Sequence, residues 1–112
     1  MDIRAEQLEE IVVVSIAGDI DALTADEASA FLRAQLDGGQ EQLVLDLSQV
    51  NFMSSSGIRL LMEILKKSRE QGGDLRLAAA PAGVTRTLEI TGLTRVLKAY
   101  PSVEEAVASF NS

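Results

Sequence analysis

One apolar segment near the start of the chain limits the possible folds more than any other feature. Residues 11–17 are apolar or small on both faces and rich in β-branched side chains. A strand of this kind has to be buried on both sides, as in the middle of a sheet. The preceding segment, 3–8, alternates only weakly, and Glu9 and Glu10 separate the two. We therefore expect an edge strand that reverses tightly into a central strand.

Further short apolar segments alternate with amphipathic ones along the rest of the chain. We predict strands at 43–47, 75–79 and 96–99, and helices starting at the capping box 24–27, at Gly57, at Val84 and at the capping box 102–105. Strands separated by helices run parallel through right-handed crossovers. The sequence thus predicts an α/β fold with a mixed, mostly parallel sheet, an antiparallel N-terminal edge strand and about four helices. With no linker or repeat, one domain over 1–112 is expected.

The second helix carries the clearest apolar stripe. Its predicted buried positions follow the spacing i, i+3, i+4 and i+7: Ile58, Leu61, Met62 and Leu65. On its exposed side, Glu63 and Lys67 have the i, i+4 spacing of an ion pair. Phe52 and Met53, just before the helix, are expected to anchor the preceding turn in the core together with Ile58.

Composition excludes several classes of function. The chain has no cysteine and no histidine, which removes thiolate metal sites, disulfides and the commonest proton shuttle at neutral pH. Its net charge of −7 repels nucleic acid and anionic membranes. No segment has the length or pattern of a membrane span or a signal peptide, so we expect a cytoplasmic protein whose partner is another protein.

Three consecutive serines lie immediately before the second helix, in the segment 52–57. In a parallel sheet, the loops that leave the carboxyl ends of the strands gather at one rim, here 18–23, 51–57 and 80–83. Serines at a helix start are commonly N-caps. Since only one or two can cap, a remaining hydroxyl would be exposed near free backbone N–H groups, where a phosphate is tolerated.

Several segments in this order resemble the STAS family (sulfate transporter and anti-sigma factor antagonist). They are Gly-Asp-Ile-Asp at 18–21, Leu-Val-Leu-Asp-Leu-Ser at 43–48 and Phe-Met-Ser-Ser-Ser-Gly at 52–57. Ala80-Pro81 and the segment 88–93 also look like the family, so the resemblance covers nearly the whole chain. It implies a non-catalytic protein-binding switch that needs no cofactor and no metal.

In antagonists of this family, a kinase phosphorylates the serine that follows an aspartate in the turn. That position is Ser55, with Ser54 and Ser56 as alternatives, and Ser54 stands where the aspartate is common. The resemblance implies that the unphosphorylated form binds a serine-kinase anti-sigma factor and that a metal-dependent serine phosphatase resets the switch. It also implies a monomer or weak dimer. The partner-binding residues we expect are Asp19, Asp21, Ser54, Ser55, Ser56, Gly57 and Arg59.

Other interpretations stay open on the sequence alone. Asp19 and Asp21 could be solvated loop acids that help to cap the first helix. A phospho-aspartate receiver would use Asp46, although this residue falls inside a predicted strand and is more typical of a structural role. A serine hydrolase lacks both a Gly-x-Ser-x-Gly motif and a histidine. A STAS subunit of a lipid-transport ABC complex or a stress-signalling assembly would keep the fold and change the partner.

Overall fold

The computed structural model describes residues 1–111, which form a five-stranded sheet with the strands in chain order. The strands are β1 (Asp2–Leu8), β2 (Ile11–Ala17), β3 (Gln42–Gln49), β4 (Asp74–Ala78) and β5 (Ala99–Tyr100). β1 is antiparallel to β2, and every later neighbour is parallel. The predicted fold class is confirmed, including the antiparallel edge strand.

Four helices and a 3-10 turn connect the strands. They are α1 (Ala22–Asp37), α2 (Ser55–Glu70), α3 (Ala82–Ile90), the 3-10 turn Leu93–Arg95 and α4 (Val103–Ser109). The main core lies between one face of the sheet and α1, α2 and α3, whereas α4 covers the other face. Residues of β2 alternate between the two cores, which is why this strand is apolar on both sides.

The last predicted strand is displaced in the structure. We expected it at 96–99, but the sheet hydrogen bonds are made by the Lys98 and Tyr100 carbonyls, which accept from Leu77 and Ala79. Gly92 is left-handed, with φ 76°, and directs the chain into the 3-10 turn. Leu97 is then buried in the main core. An apolar segment that looked like a strand therefore anchors a turn instead.

The buried face of α2 is also rotated from the prediction. Met62 is 50% exposed, whereas Leu60 and Ile64 are buried beside the correctly predicted Leu61 and Leu65. The buried face of the helix is wider than predicted and starts at Gly57. The predicted set of buried residues, which started at Ile58, was therefore offset by about one position.

The predicted pairing of Glu63 with Lys67 within α2 is wrong. Glu63 binds Arg33 of α1 and accepts a hydrogen bond from the Ser29 hydroxyl, at 2.9 Å. Lys67 binds Asp37 of α1, also at 2.9 Å. Both side chains reach across to the neighbouring helix because α1 and α2 pack side by side. These contacts fix the relative position of the two helices that start at the same rim.

Candidate functional site

Two loops at the carboxyl ends of β2 and β3 are joined by backbone hydrogen bonds. The Ile20 amide donates to the Phe52 carbonyl at 2.9 Å, and the Ser54 amide donates to the Ile20 carbonyl at 2.8 Å. Below them, the Gly18 amide donates to the Gln49 carbonyl at 3.0 Å. Because these bonds connect the loops directly, the serine turn is held against the start of α1. We call this pair of loops, residues 18–23 and 51–57, the serine rim.

The start of α1 is capped by Asp21. Its carboxylate accepts from the Leu23 and Thr24 amides at 3.0 and 2.9 Å, and the Thr24 hydroxyl accepts from the Asp21 amide at 2.9 Å. These are the two arms of a capping box, so the helix begins at Ala22 and the predicted box at 24–27 is wrong. Hydrogen bonds from the Thr24 backbone and then the Thr24 hydroxyl hold the pKa of Asp21 below its ordinary value. Asp21 thus has the capping role that the sequence left open.

The start of α2 differs, although Ser54 occupies the N-cap position. Its side chain makes no capping hydrogen bond, and its hydroxyl oxygen is buried without a hydrogen-bond partner. The interpretation of this serine as a side-chain cap of the helix is therefore wrong for Ser54. The backbone amides of the first turn of α2 receive no side-chain acceptor from Ser54.

Burial distinguishes the three serines of the turn. Ser55, the first residue of α2, is exposed, whereas Ser54 and Ser56 are half-buried. The Ser56 hydroxyl accepts a hydrogen bond from the Arg59 guanidinium at 3.3 Å, within the groove between α1 and α2. Ser55 is thus the hydroxyl of the three that is most accessible to another protein.

Gly57 is buried in the first turn of α2, and a glycine has no side chain with which to contact a partner. A Cβ atom at this position would lie 2.5 Å from Cγ of Met53 and 3.0 Å from Cγ2 of Ile20, both buried residues. The absence of a side chain lets α2 approach the two loops closely. Our expectation that Gly57 contacts a partner is therefore corrected: it positions the serine turn. Met53 is confirmed as a core anchor.

Two exposed apolar side chains of the serine rim were missed from the sequence. Leu23 is 81% exposed in the first turn of α1, and Phe52, predicted as a core anchor, is 54% exposed. Ile58 is only partly buried, against the main core. Phe52 points outward because its neighbour Met53 takes the inward position in the bridge with Ile20. Phe52 and Met53 are adjacent in the segment between β3 and α2, and only one of two adjacent extended residues can face the core. This alternation was the signal in the sequence that one of them would be exposed.

Asp19 and Asp46 have different surroundings. Asp19 is exposed on the serine rim, and its carbonyl accepts from the Thr24 hydroxyl at 2.9 Å. Asp46 lies inside β3, as predicted, and its carboxylate accepts from the Ser48 amide at 3.0 Å. Asp46 therefore sits away from the strand end where a receiver would hold its acceptor. Among residues 1–111, no cluster of three acidic side chains could hold a metal ion.

Comparison with known proteins now identifies the family. The model of the STAS domain matches residues 2–106. The chain belongs to the STAS domain family. Its relatives include BtrV of Bordetella bronchiseptica, provisionally named an anti-sigma factor antagonist, which is 28% identical and aligned over 100% of this chain and 97% of its own. The anti-sigma-B factor antagonist of Bacillus subtilis is 29% identical over 87% of this chain and 88% of its own.

The likeness extends to solved STAS structures. A crystal structure of an anti-sigma factor antagonist from Mycobacterium paratuberculosis superposes with a TM-score of 0.91 at 27% identity, covering 99% of this chain and 94% of the other. The fold thus agrees with the sequence match over almost the full length. In the part of the STAS chain that the structure describes, none of the helices has the length and hydropathy needed to cross a bilayer.

Proposed function

We propose that this STAS domain is an anti-sigma factor antagonist, a non-catalytic switch whose state is set by phosphorylation of Ser55. The observation that carries the proposal is the difference in exposure within the serine turn. Ser55 is open to solvent, Ser54 has a buried hydroxyl and Ser56 is engaged by Arg59. The names of the STAS relatives support a role in relieving an anti-sigma factor.

The proposed contact surface is the serine rim around Ser55. It combines the exposed apolar side chains of Leu23 and Phe52 with the Asp19 carboxylate and the Arg59 guanidinium. Apolar anchors surrounded by polar groups are typical of a protein–protein interface. In the unphosphorylated form this surface would bind the anti-sigma factor and release the sigma factor that it holds.

Added charge explains how such a contact could be broken. A phosphate carries about −1.5 to −2 charges, and at roughly 6 Å from one partner carboxylate the repulsion is about 4 to 5.5 kcal/mol at an effective dielectric of 20. Salt and solvent screen part of this energy. A surviving loss of about 2.7 kcal/mol lowers affinity roughly a hundredfold. The switch therefore requires no large change of fold.

The chemistry of the switch would reside in partner proteins. We propose that the anti-sigma factor is itself the serine kinase, that a metal-dependent serine phosphatase removes the phosphate, and that all of them meet in the cytoplasm. The chain then needs no cofactor of its own. Its lack of histidine leaves the rim serines without the usual general base, which agrees with a substrate role for Ser55.

Binding to the cognate anti-sigma factor tests the proposal. Ser55→Asp should weaken the complex by about tenfold or more in calorimetry, while Ser55→Ala should bind like the wild type and resist inactivation by kinase and ATP. Ser48→Asp is the matched control, because Ser48 is also exposed but lies beside Asp46 on the face of the sheet opposite α2. Equal affinity for all four proteins would rule out the switch.

A further inference from the structure

The outer edge of β1 is a regular strand edge that no other strand within residues 1–111 covers. β1 lies at the end of the sheet, is seven residues long, and pairs with β2 in continuous register without a bulge. It contains neither proline nor lysine. Natural sheets normally protect long exposed edges with such residues, with other charged side chains or with bulges, because free backbone groups bind other strands. The charged side chains of β1 are of both signs, Asp2, Arg4 and Glu6, so they can attract a second strand as well as repel one. The free edge of β1 thus has the properties of a pairing surface.

Hairpin geometry shows which residues offer their backbone to that edge. Glu9 and Glu10 form a two-residue connection, so the closing pair of Leu8 and Ile11 is a hydrogen-bonded pair. Hydrogen-bonded and non-hydrogen-bonded pairs alternate along an antiparallel ladder. Residues 2, 4, 6 and 8 therefore direct their amides and carbonyls toward β2. Ile3, Ala5 and Gln7 direct theirs outward.

The sequence of β1 is self-complementary around Ala5. An antiparallel two-fold pairing centred there places Ala5 opposite Ala5 and Ile3 opposite Gln7, so that all three outward residues form hydrogen-bonded pairs. Arg4 then lies opposite Glu6 of the second copy, twice per pair of chains. These are the non-hydrogen-bonded positions, where facing side chains approach most closely. An axis at Ile3 would pair only residues 2–4 of the strand.

The two charged side chains can reach each other at this edge. Arg4 and Glu6 are exposed and lie on the same face of β1, beside Ser15 and Val13 of β2 and away from the main core. Arg4 now binds Asp2 at 3.2 Å, with 79% and 64% of the two side chains exposed. Such exposed pairs contribute little stability, so Arg4 can exchange Asp2 for Glu6 of a second chain.

We propose that β1 pairs with β1 of a second copy of this chain, forming a ten-stranded sheet with a two-fold axis at Ala5. Two copies of charge −7 repel each other, and the Arg4 and Glu6 pairs provide the local attraction that sets the register. The serine turn follows β3, two strands in from β1, so it lies outside the paired edges of the dimer. The proposal therefore does not depend on the function of Ser55.

Sedimentation equilibrium of the full chain over a dilution series tests this dimer. The wild type should change from monomer to dimer as concentration rises. Arg4→Glu and Glu6→Arg each place like charges opposite one another and should raise the dissociation constant about tenfold or more. The double variant Arg4→Glu with Glu6→Arg restores opposite charges and should dimerise like the wild type. Its recovery would also show that both substitutions are compatible with the fold, and circular dichroism of each single variant should match the wild type.

Arg86→Glu provides the control for net charge. Arg86 is exposed on α3, far along the chain from β1, and its replacement changes the total charge by the same amount as Arg4→Glu. This variant should dimerise like the wild type. A wild-type chain that stays monomeric at the highest concentration would overturn the proposal. So would a dimer that Arg4→Glu leaves unchanged, since the copies would then meet elsewhere.

Discussion

The starts of α1 and α2 lie side by side on the serine rim, but only the first has backbone amides that donate to the side chain of the N-cap residue. At α1, the Asp21 carboxylate accepts two amides and Thr24 completes the capping box. At α2, Ser54 holds the equivalent position and caps nothing. One helix start is thus already supplied with a negative charge, and the other is not. The start of α2 can therefore accommodate a further anion more readily than the start of α1 can.

This difference bears directly on phosphorylation of Ser55. The amino end of a helix carries a partial positive charge, so a phosphate on the first residue of α2 meets a favourable field. An aspartate at the Ser54 position would place a carboxylate next to that phosphate. Here the neighbouring side chain is neutral. We therefore expect a phosphate on Ser55 to leave the fold of this domain intact.

Among the variants of the two helix starts, Gly57→Ala should lower the unfolding free energy most, because it pushes α2 away from the loops that it contacts. The new Cβ would lie 2.5 Å from Cγ of Met53 and 3.0 Å from Cγ2 of Ile20. Overpacking of this kind costs about 1 to 3 kcal/mol of unfolding free energy, measured by urea denaturation.

Gly83→Ala in α3 is the matched control for that variant. A Cβ at Gly83 meets nothing within 4 Å, and the substitution should stabilise the helix by up to about 1 kcal/mol. If both alanine variants changed stability in the same direction, close packing at Gly57 would not be what positions the serine turn.

Ser54→Asp should make the start of α2 resemble that of α1. A carboxylate at the N-cap can accept a backbone amide and complements the helix dipole, so we expect a gain of about 0.5 to 1 kcal/mol in unfolding free energy. Ser54→Ala removes a hydroxyl that has no partner and should leave stability within about 0.5 kcal/mol of the wild type. A loss above about 1 kcal/mol in Ser54→Ala would show that the serine caps the helix after all.

Lowering the pH should weaken the Asp21 cap of α1. We expect the resulting loss of stability to be smaller than the effects of the substitutions above. The folded pKa of Asp21 is depressed, so its stabilisation is complete above the unfolded value of about 3.9 and is lost as pH falls through the lower folded value. Asp21→Asn keeps a capping side chain that does not titrate. Thermal unfolding between about pH 6 and pH 2 should show a steeper acid loss in the wild type than in Asp21→Asn. Parallel profiles would contradict the assigned cap.

The sequence predicted the order of elements because strand and helix periodicities differ clearly in this chain. Residues 11–17 could be buried on both faces only as a central strand, and the structure places them there. Local apolar patterns did not determine which neighbour covers each residue. Met62 and Phe52 are exposed because adjacent positions already fill the core, a tertiary effect that periodicity does not contain.

The site shows the same division between local and tertiary information. The geometry expected of a parallel sheet placed the serine turn and the Asp21 loop at one rim, and backbone hydrogen bonds do join these loops. It did not distinguish Asp21 from Thr24 as the cap of α1, since both residue types can cap. The resemblance to the STAS family favoured Ser55 among the three adjacent hydroxyls, but it did not give their burial. Their different burial depends on how closely Gly57 lets α2 approach Met53, which only the folded structure provides.

Mapping of the phosphate tests the central claim most directly. The chain would be incubated with its cognate anti-sigma kinase and ATP and then analysed by tandem mass spectrometry of the peptide that contains all three serines. The exposure of Ser55 predicts a single phosphate on Ser55, and no labelling of the Ser55→Ala variant. A phosphate on Ser54 or Ser56, or equal labelling of Ser55→Ala, would contradict the account.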